Sequence, residues 1–312
     1  MTDADRPGNA TTDPDSLEFA YDELGMFDEN CAEYDLPFDG PPAVARVEHQ
    51  LADGRVERAL KWGTGEPRLV LLHGGAQNSH TWDTVLLAMG SPDALAIDLP
   101  GHGHSDPRSE GHYDARSNAG AVAEVMAALA PAAKVVVGMS LGGLTANSLA
   151  AANPELVARL VVVDVTPGVD RDKAKEVIDF IAGPQAFATF GEIFDRTVEY
   201  NPTRSTTSLR RGILHNAHRM PDGSWEWNYD RRQLQGVDLP KSAELWEDVS
   251  ATTCPYLLVR GSLSPVVDDA DVAELQRRRP DARVVVVDGA GHSIQGDRPL
   301  ELAQLLLSEL GG

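Results

Sequence analysis

One nine-residue stretch, Val135-Val136-Val137-Gly138-Met139-Ser140-Leu141-Gly142-Gly143, constrains this chain more than any other. Three consecutive valines predict a buried strand, and Leu144 to Ala151, rich in Leu and Ala, predicts a helix. A strand and a helix this close leave room only for an abrupt corner, and Ser140 stands at it. Gly138 and Gly142 bring no Cβ into that crowded turn, and Gly143 lets the helix lie close on the sheet. Ser140 then sits at a helix N-terminus, where backbone N–H groups and the helix dipole favour a developing negative charge. Strand, Gly-x-Ser-x-Gly and helix in this order form a nucleophile elbow. The bland alternative is a Gly-rich turn with a capping serine, and the flanking sequence has to decide between them.

Upstream, Val44 to Gln50 and Val56 to Trp62 alternate apolar and polar residues around Asp53-Gly54, which predicts a hairpin. Arg68 to Leu72 reads as a continuous apolar run, the mark of a strand buried on both faces, and it ends in His73-Gly74-Gly75-Ala76. A short helix at about His80 to Met89 and a strand at Ala94 to Ile97 follow, ending in Asp98-Leu-Pro-Gly-His-Gly-His-Ser105. Ala115 to Ala130 reads as a helix stopped by Pro131. After the elbow come strands at Leu160 to Val163, Tyr256 to Val259 and Arg283 to Val287, with a helix from about Asp269 to Arg278. Asp297 reads as the cap of a C-terminal helix reaching Leu310. Strands alternating with helices predict an α/β fold with a mostly parallel central sheet flanked by helices.

The alternation lapses from Thr166 to about Ser250, where Ala174 to Ile181 and Ala186 to Glu199 read as helices with no strand between them. Arg210, Arg211, Trp225, Trp227, Tyr229, Arg231 and Arg232 make this stretch aromatic and basic. It is expected to be a mostly helical cap inserted above the sheet. The expected organisation is therefore an acidic extension over 1–42, core over 43–165, cap over 166–250 and core again over 251–312.

Charge bears on partners. The net charge of −21 argues against nucleic acid and anionic membrane, both polyanionic. Residues 1–42 hold twelve acidic residues against Arg6, so −11 of that charge is local. Residues 1–15 are expected to be disordered, whereas Phe19, Tyr21, Leu24, Met26, Phe27 and Tyr34 are expected to dock as an irregular strap. Cys31 and Cys254 are too few and too separated for a disulfide framework. With no signal peptide and no long apolar run, a cytoplasmic protein is expected. The oligomeric state stays open.

The motifs His73-Gly74-Gly75, Gly138-Met139-Ser140-Leu141-Gly142 and Gly291-His292, in this order, resemble those of the α/β-hydrolase fold family. The Asp98 to Ser105 stretch resembles that family's loop after the strand preceding the elbow. The resemblance covers about Val44 to Leu310. On it, Ser140 is the expected nucleophile, and a serine needs a positioned base to become one. His292 follows a buried strand and Gly289-Ala290-Gly291, at the same sheet edge as Ser140, and is the expected base. The N–H groups of Gly75 and Leu141 are the expected oxyanion donors.

The third member departs from the usual pattern. Where the family usually has its acid, three residues after a glycine, this chain has Gly261 and Ser264, and serine carries no charge. Some members place the acid at the end of the strand after the elbow helix, which here is Asp164. Asp164 is the expected acid, with Asp268 in reserve, although Asp268 and Asp269 read as helix caps. His73 is expected to bond its own loop, and His102 and His104 to be structural. His80 is open between pocket lining and an exposed helix start, and His215 and His218 have no visible partner.

A serine at the elbow argues against relatives that use aspartate there, and points to acyl transfer from an ester, lactone or thioester to water. Carbon–carbon bond hydrolysis, perhydrolysis and a non-catalytic ligand-binding role are the alternatives. Neither metal-ligand spacing nor a phosphate-binding glycine pattern appears, so no metal or cofactor is expected. The expected partner is a small, apolar ester-type molecule. Candidate lining residues are Trp82, Phe180, Phe187, Phe190, Phe194, Trp225 and Trp227, although the cap core competes for most of them.

Overall fold

The computed structural model describes residues 13–16, 19–109, 111, 113–230, 232 and 243–311. Its strands are β1 (Val44–Gln50), β2 (Val56–Trp62), β3 (Leu69–Leu72), β4 (Ala94–Ile97), β5 (Val135–Met139), β6 (Arg159–Val163), β7 (Ala186–Phe187), β8 (Ala217–Arg219), β9 (Trp225–Trp227), β10 (Tyr256–Gly261) and β11 (Arg283–Val287). Eight of them form one sheet in the order β1-β2-β4-β3-β5-β6-β10-β11. The hairpin partners β1 and β2 are antiparallel, as are β2 and β4. From β4 to β11 every neighbouring pair is parallel.

The apolar runs decide this arrangement. Alternate residues of a strand face opposite sides, so an uninterrupted run needs cover on both. Val70 and Leu72 pack on one face with Val136, Val122 and Leu149. Leu69 and Leu71 pack on the other with Val135, Val137, Trp62, Trp82 and Leu306. Because the parallel strands end on one edge, the loops after β3, β5, β6, β10 and β11 gather there, as in open α/β sheets generally.

The insertion between β6 and β10 carries helices Lys175–Ile181, Phe190–Glu199 and Thr206–Asn216. It also carries a small antiparallel sheet, β7-β9-β8, that the sequence reading lacks. Strands of two or three residues show too little alternation to be read. Ala186 and Phe187 belong to β7, and the helix starts only after Thr189, whose hydroxyl accepts the Glu192 N–H at 3.2 Å.

The acidic N-terminal strap docks on both layers. Phe27 is buried against Trp62, with ring centroids 5.2 Å apart, while Phe19 and Met26 pack against the cap's apolar cluster. It is not wholly irregular, since Phe27–Glu33 is helical. Its charge meets two arginines of the insertion: Glu33 pairs with buried Arg211, and Glu29 lies 3.7 Å from Arg210. Of the segment expected to be disordered, residues 1–12 lie outside the described residues. Residues 13–16 form a turn, and there the Asp15 carboxylate accepts the Trp225 indole N–H at 3.0 Å. Arg231 and residues 233–242 of the insertion also lie outside the described residues.

Asp297 does not cap the C-terminal helix. It ends a short helix, Ile294–Asp297, and Pro299 opens the final one, Pro299–Gly311. The proline supplies the helical φ without needing an N–H partner. The Asp297 carboxylate instead accepts the Gly291 N–H at 2.7 Å and the Thr203 hydroxyl at 3.0 Å.

Candidate active site

Ser140 has φ 51° and ψ −119°, a left-handed backbone rare for any residue with a Cβ. The surroundings enforce it. A Cβ on Gly138 would lie 2.2 Å from the Gly142 carbonyl oxygen, and one on Gly142 would lie 2.3 Å from that of Leu72. The helix Leu141–Ala152 begins at once, so the Leu141 N–H is the first of its orphan donors. The strand end is pinned across the sheet, where the Ser140 N–H reaches the Val163 carbonyl at 3.1 Å.

The loop after β3 lies against this corner. A Cβ on Gly74 would stand 3.2 Å from Ser140 Cβ, so Gly74 lets the loop approach the serine. Gly75 lines the same cavity as Ser140. Ala76 holds φ 57°, and its carbonyl accepts the Asn216 side-chain N–H at 2.7 Å. The insertion therefore holds this loop. Below it, buried His73 donates from Nδ1 to the Gly74 carbonyl at 2.7 Å and accepts the Leu99 N–H on Nε2 at 2.9 Å. Burial pushes its pKa down to about 3, so the ring stays neutral and both bonds persist. His73 thus bonds its own loop, as expected, and ties it to the loop after β4.

Asp164 ends β6 fully buried, also with a positive φ of 52°. One carboxylate oxygen accepts the Gly261 N–H at 2.9 Å. The other accepts from the Ser264 hydroxyl and lies 2.8 Å from His292 Nδ1. Ser264, at the position the resemblance reserves for an acid, thus donates to Asp164. Asp268 is elsewhere: it caps the helix Asp269–Arg278 in a reciprocal capping box with Asp271, and it pairs with Lys173 at 3.0 Å.

His292 is brought to Asp164 and shares the cavity wall with Ser140. Among the described residues no hydrogen bond joins the Ser140 hydroxyl to the His292 ring. In unliganded enzymes such contacts are often loose and tighten with substrate. A carboxylate on Nδ1 places the proton there and leaves Nε2 free to accept one. This arrangement can hold a hydroxyl, a base and two backbone donors around one carbonyl carbon.

The cavity measures about 510 Å³. Of the seven aromatic candidates, Phe180 and Trp227 line it. Phe187, Phe190, Phe194 and Trp225 pack within the cap, and Trp82 lies in the core on the far face of the sheet. Sequence pattern cannot separate these cases, because an aromatic residue suits cap core and cavity wall equally.

Sequence reasoning missed a buried ionic cluster at the cavity wall. His80 is buried, with Nδ1 2.8 Å from Asp83 and Nε2 3.3 Å from Glu23 of the strap. His215 stacks on it at 3.8 Å and bonds Tyr21 at 2.6 Å. These partners lie up to 194 residues away in sequence, beyond any local signal. His102 bonds the Pro100 carbonyl, His104 faces Glu23, and His218 bonds Asn228.

Among the described residues His80, Asp83 and His215 are close enough to hold a metal ion. Their two rings, however, lie 8° from parallel and stacked, so the nitrogen lone pairs run side by side instead of converging on one point. Hydrogen bonds to Asp83 and Glu23 engage both His80 nitrogens, and one to Tyr21 engages Nδ1 of His215.

Burial alone would lower the His80 pKa, but Asp83 and Glu23 outweigh it and raise it to about 9. A raised histidine stabilises the fold fully below its unfolded value of 6.5, and that contribution is lost as pH rises toward 9. Melting temperature is therefore expected to fall across this window, and His80→Gln is expected to flatten the fall. An unchanged slope in differential scanning calorimetry of His80→Gln would contradict the assignment.

No helix among the described residues is long and apolar enough to cross a membrane. Comparison with known proteins agrees with the α/β fold. A model of the alpha/beta hydrolase family matches residues 69–305. The chain is 44% identical over 293 residues to the esterase Rv0045c of Mycobacterium tuberculosis, covering 91% of this chain and 94% of that protein. It is 30% identical to a pimeloyl-[acyl-carrier protein] methyl ester esterase of Yersinia pseudotuberculosis, covering 80% and 97%. A structure of Rv0045c from work on its transition metal inhibition superposes with a TM-score of 0.82 at 41% identity, covering 94% of this chain and all of that one. With the parallel sheet, the strained serine corner and the family match over most of its length, the chain belongs to the alpha/beta hydrolase family.

Proposed function

We propose that this protein is a serine hydrolase that cleaves carboxylic esters, lactones or thioesters included, through an acyl-enzyme. The observation that carries the reading is Ser140, held at a strained strand–helix corner in one cavity with an imidazole that Asp164 orients. Ser140 attacks the substrate carbonyl while His292 takes its proton. Asp164 holds the imidazole tautomer and stabilises the imidazolium. The Leu141 and Gly75 N–H groups receive the oxyanion. The alcohol leaves with the proton from His292, and water then repeats the sequence to release the acid.

The cap, over about 166–250, closes the cavity and excludes water. Val177, Phe180, Ile181, Leu209, Trp227 and Leu263 give it an apolar wall, which suits a small molecule with an apolar chain. The site works without metal or organic cofactor, and the protein acts in the cytoplasm. Both named relatives are ester hydrolases by their names, which supports ester bonds over the carbon–carbon alternative.

A panel of p-nitrophenyl esters from acetate to decanoate tests this reading, together with a fluorophosphonate probe. Turnover of the panel and covalent labelling of Ser140 are expected. A chain that neither cleaves any ester nor takes the label would be a non-catalytic member of the fold.

A further inference from the structure

We propose that Arg204 receives a carboxylate carried on the substrate, so that the preferred substrate is an ester whose apolar chain ends in an anionic group. The proposal rests on the reading of this cavity as an ester-hydrolase site, and names the class of molecule it selects.

The cavity is lined by Lys173, Arg204 and Arg211 among its cations. Two of them are neutralised. Lys173 lies 2.8 Å from Asp271 and 3.0 Å from Asp268, and Arg211 pairs with Glu33. Arg204 is different. Its one hydrogen bond runs from Nη2 to the Ser208 hydroxyl at 2.8 Å. No carboxylate oxygen of the described residues lies within 4.0 Å of its guanidinium. Its Nε is buried and has no acceptor. A half-buried cation whose Nε has no acceptor is costly to keep without a counter-charge, and a ligand anion can supply one.

Nearby carboxylates do not fill that role. Burial disfavours the charged form of Arg204, and Asp297 and Glu33 favour it from a distance, with neither in ion-pair contact with its guanidinium. Asp297 holds Gly291 and Thr203, leaving one oxygen unpaired, and Glu33 holds Arg211 and Ser205. Room for the guanidinium comes from Gly296, where a Cβ would stand 2.6 Å from Arg204 Nε. Gly296 is four residues from His292, so the cation stands beside the loop carrying the base. A guanidinium fork matches a carboxylate or phosphate in two parallel bonds. With one unpaired cation against an apolar wall, a monoanionic carboxylate fits better than a phosphate dianion.

The test compares kcat/KM for mono-p-nitrophenyl esters of succinic, glutaric, adipic and pimelic acids with p-nitrophenyl esters of the monoacids of equal length. At the best length the carboxylate ester is expected to lead by about 10- to 100-fold, the range of one charged hydrogen-bond pair. Arg204→Gln is expected to bring that ratio to one or below, and Arg204→Lys to keep part of it, since ammonium supplies charge without the fork. Gly296→Ala, which displaces the guanidinium, is expected to lower the ratio as well. A ratio cancels any general loss of folded enzyme. Wild type showing no carboxylate preference at any length, or a preference that Arg204→Gln leaves intact, would overturn the proposal and leave Arg204 as a structural residue bonded to Ser208. If wild type cleaves neither series and Ser140 takes no label, it is the ester-hydrolase reading that has failed.

Discussion

Ser140→Ala is expected to lower kcat on p-nitrophenyl esters by a factor on the order of 10⁶, the loss seen when the serine-protease template loses its nucleophile. Fluorophosphonate labelling should vanish with it. The fold should survive, because the Ser140 side chain makes no capping bond to its helix, and alanine keeps the Cβ for which the corner already has room. A melting temperature within a few degrees of wild type would show that chemistry, not structure, was lost. Residual turnover above a thousandth of wild type would point to another nucleophile.

Asp164→Asn is the second large effect, a fall of about 10⁴ in kcat by the tautomer argument. An amide facing His292 offers either an N–H that cannot accept the Nδ1 proton or an oxygen without full charge. The same amide also faces the Gly261 N–H and the Ser264 hydroxyl, so it cannot satisfy all three donors. Asp268→Asn is the control. Asparagine caps a helix as well as aspartate does, so turnover should stay within about twofold. Ser264→Asp in the Asp164→Asn background should recover part of the loss, because the Ser264 side chain already meets the Asp164 carboxylate that touches the imidazole. Reversal of the order, with Asp268→Asn crippling and Asp164→Asn mild, would remove Asp164 from the mechanism.

Much of the sheet is legible in the sequence, for a physical reason. Strands buried on both faces leave continuous apolar runs, and Leu69–Leu72 and Ala94–Ile97 are legible nearly to the residue, while the edge strand Arg283–Val287 shows the same run of valines with one face open. The corner at Ser140 was readable because its glycines answer steric demands that no other residue meets. What stayed hidden depends on contacts between distant segments. The stacking of His215 on His80, the clamp of Asn216 on Ala76 and the hold of Asp297 on Gly291 link residues with no local relation. The cap sheet was missed because its strands are shorter than the period that would reveal them. Ser264 looked like a lost acid, and only its bond to Asp164 shows that the position still serves the same histidine.

The bond from Asn216 to the Ala76 carbonyl has a consequence for engineering. A chimera that kept this scaffold but took its lid from another member would lose the amide that steadies a left-handed alanine beside a proposed donor. Grafted lids should therefore carry asparagine at the matching place. Without it, altered selectivity and weakened catalysis would arrive together and be mistaken for one effect.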